Sequence, residues 1–515
     1  MRFSVFCFPC RRLPALISLL ILPLLATTGF AQTAWFGLEL PGGFGNPHAP
    51  TVDLSDVQPI PVSVPAAERQ SHADLEGQRI LPLVEQIVGF SHQSHRDGNR
   101  VWGRVTGFPS QRATVEWVAE QFREAGLQQV AVQEYPGEGE FWWPSDWQVT
   151  LLGDAAYGTG SSDVILESSL VTAGSEIPGG SLTATLVDTG HILDPVPDVD
   201  LHGRIAVQTL TPPTGAYSER TPTQERARAL MARGAVAVIN VVEQLGNMHT
   251  RDFSNCNGPC YNLGTADGEF LKAAIREAAD RGLADRLQLR LSLQAGNLTG
   301  LKGYNAIGIV PGEGPEIVIV NAHADGWYDA AGDNADGLAV LIAMARHFAG
   351  QENRPERTLL FVASGGHHSP GLNGPRALVA MNPDLVGRAV LVFNLEHIAQ
   401  FAIDSSDWSV GPGEQRMSYS VTNMAPFLVS RSRDAMARYG FNLNPEFREA
   451  APGDLGGYRS LGIPMIQAIH SGPLYHASGD VLATISEPGL ERAARFFTYL
   501  VEQVVAADRR QLDPE

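Results

Sequence analysis

Metal-binding residue types stand directly after four apolar runs in the C-terminal half of this 515-residue chain. His323 and Asp325 follow EIVIV in NAHADGW, and Asp333 lies just beyond them in AAGDNADG. His367 and His368 follow TLLFVAS in GGHHSPGLNG, Glu396 and His397 follow AVLVFNL, and His470 and His476 follow IPMIQAI, the latter in PLYHASGD. Imidazole and carboxylate donors that converge from separate elements can hold a borderline divalent cation, provided a further shell of hydrogen bonds fixes each ring. Asp325, two residues beyond His323, is spaced to hold that imidazole from behind. A lone histidine such as His347, inside a helical pattern, is read as structural. The joint arrangement at four strand ends points to a metal centre.

The runs that must position these residues are EIVIV, TLLFVAS, AVLVFNL and IPMIQAI, each apolar almost without interruption, as strands covered on both faces are. Between the first two lies GLAVLIAMARHF, whose Leu338, Leu341, Ile342, Ala345 and Phe348 share one helical face. This alternation predicts an α/β layer architecture with a largely parallel sheet, whose ligands bind outside the C-terminal strand ends. Upstream, RILPLVEQIVGFS and ATVEWVAEQFREAGL have helical periods, and QQVAVQEYP reads as a strand. From about Gln148 to Leu293 the texture changes to short β-like runs with the helix RARALMARG and the strand AVAVINVV, which reads as an inserted module. The expected division is a leader over 1–31, an extended arm over 32–77, a first part of the catalytic domain over 78–147, the insert over 148–295 and the remainder over 296–515.

A chain this long exceeds what one core can cover, so at least two packed units are expected. Lys and Arg number 37 against 56 Asp and Glu, a formal net charge of -19. So acidic a surface excludes nucleic acid or anionic lipid as the main partner, because a phosphate backbone needs a basic footprint. Met1 to Ala31 has Arg11 and Arg12 before the apolar run LPALISLLILPLLA and ends on small residues, the pattern of a secretory signal cleaved after Ala31. That run is too short for a bilayer span and Pro23 interrupts it, so the mature chain is expected to be secreted or periplasmic with no membrane span. Cys7 and Cys10 leave with the leader. Cys256 and Cys260, in NCNGPCYN, then read as a disulfide closing one loop.

With these motifs in view, most of the mature chain resembles the secreted co-catalytic zinc peptidases of clan MH, which include bacterial leucyl aminopeptidases and glutamate carboxypeptidases. GRVTGFPSQRATVEWVAEQFREAGL is similar to their opening helix, YNAIGIVPGEGPEIVIVNAHADGWYDAAGDNADGLAVLIAMAR to their first ligand block, and PLYHASGDV to their last. HGRIAVQTL, RARALMARGAVAVINVV and GTADGEFLKAAI resemble a protease-associated domain. The resemblance implies an α/β/α sandwich with a mostly parallel sheet and a β-rich protease-associated insert. It makes His323 the first metal ligand, Asp333 the carboxylate bridging two zinc ions, and His476 the late ligand of the opposite metal. Glu396 stands where the family usually has aspartate, and Asp325 where the residue orienting the first histidine stands. Asp454 and Tyr458, in GDLGGYRSLGIP, fall in a pocket-lining segment, and Asp480 follows the last histidine.

The departure is at His367 and His368, where the family carries two successive glutamates, a general base and a ligand. Imidazole binds zinc well, so His368 is expected to replace the ligand carboxylate. One metal then has Asp333, His368 and His476, and the other His323, Asp333 and Glu396. His367 becomes the base facing the bridging water. Two zinc ions per chain are favoured, with a single ion on His323, Asp333 and Glu396 as the alternative. The activity implied is that of a secreted zinc-dependent metallopeptidase, an aminopeptidase or carboxypeptidase-like exopeptidase that hydrolyses peptide or small amide substrates through a metal-activated water. The competing expectations are a catalytically impaired binding protein and an amidohydrolase of non-peptide amides.

Overall fold

The computed structural model describes residues 33–212, 220–251, 256–450 and 452–513, so the leader expected over 1–31 lies outside the described residues. Eight strands form the main sheet: β1 (Gln128–Pro136), β2 (Lys302–Val310), β3 (Ile317–His323), β4 (Thr358–Ser364), β5 (Ala389–Leu395), β6 (Met417–Val421), β7 (Leu443–Arg448) and β8 (Met465–Ile469). Their spatial order is β7-β6-β8-β5-β3-β4-β2-β1. The four central strands, β8, β5, β3 and β4, are mutually parallel, so their C-terminal ends share one edge. The chain leaves β3 for β4 on one side and returns to β5 on the other, which opens a crevice above β3.

The expected α/β architecture is therefore present, in a mixed sheet whose pairings are parallel in four of seven cases. β1 pairs antiparallel with β2, and β2 with β4. The reason lies in the insert. Beyond β1 and before β2 the same two chain segments continue as a second antiparallel ladder, Phe141–Leu151 against Gln288–Leu298. A long two-stranded ribbon thus carries the inserted unit, and no crossover helix is available to turn these strands parallel.

Alternation along β3 explains its unbroken apolar run. Val318 and Val320 face one core, while Ile317 and Ile319 face the other. Helices α1 (Gly77–Arg96), α2 (Pro109–Glu124), α3 (Asp336–Ala349) and α6 (Glu487–Ala506) cover the first face, joined at the edge by α5 (Pro426–Tyr439). Helix α4 (Gly374–Met381) and the turn Leu455–Tyr458 cover the second. The predicted stripe Leu338, Leu341, Ile342, Ala345 and Phe348 is buried in the first core. Each of the four larger side chains contributes about 1.5–3 kcal/mol when fully buried.

His347, on α3, stacks on His72 with ring centroids 4.5 Å apart, and both imidazoles face the Glu502 carboxylate of α6, at 3.7 and 3.5 Å. Burial acts to raise the Glu502 pKa, but hydrogen bonds and charge from His347 and His72 outweigh it and bring it down to about 2. A depressed carboxyl pKa stabilises the fold above the unfolded value of about 4.3, and that contribution is lost as pH falls through the folded value. Glu502→Gln is therefore expected to lower the thermal midpoint relative to wild type at about pH 5, with the gap closing toward about pH 2. Thermal scans by circular dichroism across that range check it.

The inserted unit is built on a second eight-stranded sheet, from Phe141–Leu151 to Gln288–Leu298, with helices Arg220–Ala232 and Thr265–Asp280 against it. Cys256 and Cys260 are joined as a disulfide, their Cα atoms 6.1 Å apart. The N-terminal arm anchors on this unit through buried Trp35, which packs on Tyr157 and Phe270. Among the described residues no helix is long and apolar enough to cross a membrane.

Candidate metal centre

Asp333 is the hub of the crevice above β3. It lies in the loop before α3, where the backbone N–H groups of Gly332 and Asp333 donate to the Asp480 carboxylate at 2.8 and 3.1 Å. Its Oδ1 faces Nε2 of His323 at 3.3 Å and Nε2 of His397 at 2.7 Å. Its Oδ2 faces Nε2 of His368 at 3.2 Å and Nε2 of His476 at 3.1 Å. Two imidazoles thus address each oxygen of one carboxylate.

Of the residues singled out in the sequence, His323, Asp333, His368 and His476 meet here. Glu396 is turned elsewhere: its Oε2 accepts from the Asn394 amide at 2.7 Å, and its Oε1 lies 3.4 Å from Nε2 of His367. The place beside Asp333 belongs to His397, which the sequence shows at the same strand end but to which it assigns no role. The strand ends at Leu395, and the backbone turns at His397, whose φ of 52° goes with its ring, rather than the Glu396 carboxylate, facing Asp333. The ligand atoms of His323, His367 and Glu396 form a second group within 4.8 Å of one another, as do those of His323, Asp333 and His368.

The geometry bears on two expected roles. Asp325, expected to hold the His323 imidazole from behind, meets it through its backbone: His323 Nδ1 donates to the Asp325 carbonyl at 3.0 Å and stands 3.7 Å from the carboxylate. That carboxylate instead accepts the backbone N–H groups of His367 and His368, at 3.3 and 3.0 Å, and so fixes the loop that carries both. Gly366 opens the same loop at φ +81°, where a Cβ would stand 2.0 Å from the Leu372 carbonyl oxygen. Asp454 and Tyr458 were expected to line the pocket, but both are buried under the imidazoles. Asp454 accepts from Asn321 and Ser364 through one oxygen, at 3.0 and 2.9 Å, and from Nδ1 of His367 through the other at 3.0 Å. Tyr458 donates to Asn321 at 2.9 Å. Polar groups on the inner strands need partners, and these two residues supply them.

Burial pushes the carboxyls of Asp480 and Asp336 up to about 7. Burial acts on Asp333 and Asp325 in the same sense, but the surrounding imidazoles outweigh it and hold both well below the usual range. His397 moves the other way, to about 9, because Asp333 and Glu396 overcome its burial. The crevice is therefore a field of negative charge that demands positive charge. Nε2 of His323, both ring nitrogens of His368 and Oδ2 of Asp333 are buried without a hydrogen-bond partner. At these separations they are close enough to share an ion yet too poorly aligned to bond one another. Such groups cost about 1–3 kcal/mol each when left unmet. A nitrogen and oxygen donor set of this kind fits a borderline divalent cation.

His367, His368 and His476 line a cavity of about 820 Å³ together with Trp142, Trp327 and Arg251. The inserted unit supplies part of that wall and grips the loop carrying His476. The Arg251 N–H donates to the His476 carbonyl at 3.0 Å, Ser478 N–H to the His249 carbonyl at 2.8 Å, and the Gln244 amide to the Pro473 carbonyl at 2.7 Å. The Arg251 guanidinium lies 3.8 Å over the Trp327 ring.

Residues 305–501, which hold every strand of the crevice, match Peptidase family M28. Over these residues the chain is similar to that family. Solved structures similar to the whole fold include a peptidase M28 precursor from Shewanella amazonensis SB2B, with 18% identity, 87% of this chain and 98% of that chain covered, and a TM-score of 0.64. A zinc aminopeptidase from Bacillus subtilis is 22% identical over 85% of this chain and 98% of its own, with a TM-score of 0.57. An aminopeptidase from Aneurinibacillus sp. strain AM-1 is 20% identical over 85% of this chain and 95% of its own, with a TM-score of 0.51. No curated protein matches the chain in sequence. The matched residues thus hold the four central strands and the residues that meet at Asp333, and the inserted unit adds the second wall.

Proposed function

We propose that the chain is a zinc-dependent metallopeptidase acting outside the cytoplasm, an aminopeptidase or carboxypeptidase-like exopeptidase that cleaves peptide or small amide bonds. The observation that carries this reading is Asp333, with each carboxylate oxygen facing two imidazoles, of which His368 and His476 line the cavity, in a stretch similar to peptidase family M28. Asp333, His368 and His476 would hold one zinc. Asp333 and His323, with His397 or Glu396, would hold a second. Bound there, the cations supply Lewis acidity to the scissile carbonyl and to the attacking water.

The chain's own contribution is proton handling and placement. Asp454 accepts the Nδ1 proton of His367, so the tautomer leaves Nε2 for proton exchange at the cavity. Burial and His323 act to lower the His367 pKa, and Glu396 and Asp454 outweigh them, so the ring sits above its usual value in the field of the protein's side chains. His367 takes the proton of the water and returns it to the leaving amine. The inserted unit, proposed to be a protease-associated domain, closes one side of the cavity through Arg251. The leader and the Cys256–Cys260 disulfide support an oxidising destination.

The test is turnover of a panel of aminoacyl and peptidyl anilides by the zinc-loaded chain. His367→Ala is expected to lower kcat about 10²–10⁴-fold with zinc content unchanged. Full activity in that variant removes His367 from the reaction. A second reading, a peptidase-like binding protein, is favoured by the carboxylates that flank both ring nitrogens of His367. It predicts bound zinc with no turnover of any anilide.

A further inference from the structure

A second convergence of imidazoles on one carboxylate lies outside the cavity. Asp329, 2% exposed at its side chain, presents Oδ1 to Nδ1 of His48 at 2.7 Å and Oδ2 to Nε2 of His92 at 3.0 Å. His48 belongs to the N-terminal arm, and His92 and His95 lie in the last turns of α1 at a spacing that puts them on one face. The remaining ring nitrogen of His48 is 3.1 Å from Nδ1 of His95. Trp102 packs edge-on against His48 and tilted against His95, with centroids 4.9 and 5.0 Å away, and shields this side. The ligand atoms of His48, His92 and Asp329 all lie within 4.8 Å of one another.

We propose that His48, His92 and Asp329 form a separate structural site for a divalent transition-metal cation of the zinc class, with His95 as the partner that fixes His48. The chemistry of the four residues divides accordingly. A ligating histidine keeps its proton on the nitrogen that does not bind the ion and donates it to a neighbour, which sets the tautomer. His48 would bind through Nδ1 and donate from Nε2 to His95 Nδ1, a lone pair already at hydrogen-bond distance. His92 would bind through Nε2, and Asp329 would supply the anionic oxygen. Two neutral imidazoles and one carboxylate leave a fourth position for water, and the partial exposure of His48 and His92, at 22% and 30%, leaves a path for the ion.

The site joins three parts of the chain: the arm, α1 and the loop that leads to Asp333. Asp329 itself is held from behind, since the Arg104 guanidinium donates to its backbone carbonyl at 2.7 Å. An ion at Asp329 would therefore pin the arm to a loop that is already rigid, four residues before the hub of the central crevice.

The experiment counts zinc per full-length chain after equilibrium dialysis, by mass spectrometry of the metal, in wild type, His48→Gln and His92→Gln. The expected result is a loss of one zinc per chain in each variant. The zinc that Asp333→Ala removes is retained in both. Because the count is a difference, it holds whatever the central site binds and whether or not the chain hydrolyses peptides. Thermal midpoints with zinc and with chelator accompany it, and the zinc-dependent rise is expected to shrink in both variants. Equal zinc counts in wild type and both variants overturn the site. A lower midpoint at unchanged zinc content also overturns it, since that marks a clamp made of hydrogen bonds alone. The two substitutions sit on different elements, so the failure of one to fold leaves the other to decide.

Discussion

Asp333→Ala is expected to lose central-site zinc and hydrolysis together, with kcat/KM down by more than about 10³-fold, or roughly 4 kcal/mol of transition-state stabilisation. The reason is geometric. His323 and His397 meet one oxygen of this carboxylate and His368 and His476 the other, so a single side chain links both halves of the centre. Alanine leaves four imidazoles around an uncharged gap and removes the anion that brings cation-binding nitrogens together. Asp333→Asn tests charge against shape: it keeps an oxygen in place and should still lose the metal, because a neutral amide is a poor ligand for a hard-to-borderline dication. The main sheet and its two cores do not include Asp333, so the far-ultraviolet circular dichroism of both variants should match that of chelated wild type. Metal analysis beside steady-state kinetics decides the matter, and an Asp333→Ala protein with full zinc and full rate would remove the hub from the mechanism.

The sequence makes the frame of this centre legible because strand ends are where periodicity stops. EIVIV, TLLFVAS, AVLVFNL and IPMIQAI each form a central parallel strand, and the polar residues just beyond each are the ones that converge. His323, Asp333, His368 and His476 could be named for that reason. Glu396 and His397 could not be told apart, since the side each faces depends on a backbone turn at positive φ that no pattern announces. Asp325 was assigned to its neighbour in sequence, whereas its carboxylate serves N–H groups 42 and 43 residues away, a pairing set by the parallel register of β3 and β4. Asp454 and Tyr458 were read as pocket residues because the family resemblance places their segment there. In the fold they satisfy Asn321, Ser364 and His367 from below the crevice. The Asp329 cluster was illegible for a simpler reason: His48 comes from an arm whose sequence has no period, so nothing places it against α1.

Arg104→Met is expected to destabilise the protein by about 3–5 kcal/mol, the range for stripping one partner from a buried charged network. Arg104 is fully buried, and burial lowers its pKa to about 10 against the pull of Asp333, Asp325, Asp480 and Asp329, so it remains a cation at neutral pH. Its guanidinium donates to the carbonyls of Ala324, Asp329 and Ala330 at 3.1, 2.7 and 3.0 Å and to the Ser91 hydroxyl at 2.8 Å. The loop between β3 and α3 is thus wound around one side chain. Methionine fills similar volume but leaves three carbonyls without that donor in a region closed to water, and each such loss costs about 1–3 kcal/mol before relaxation. Lysine keeps the charge yet has no planar fork to reach all of them, so Arg104→Lys should recover only part of the loss. The same loop carries Asp333, which ties stability to function: zinc affinity of Arg104→Met is expected to fall about 10–100-fold, as when a group supporting a ligand is removed. Chemical denaturation of the chelated proteins isolates the first effect, and zinc titration isolates the second. If Arg104→Met unfolds within about 1 kcal/mol of wild type, the loop is held by its own backbone, and the buried cation serves only to balance the carboxylates around it.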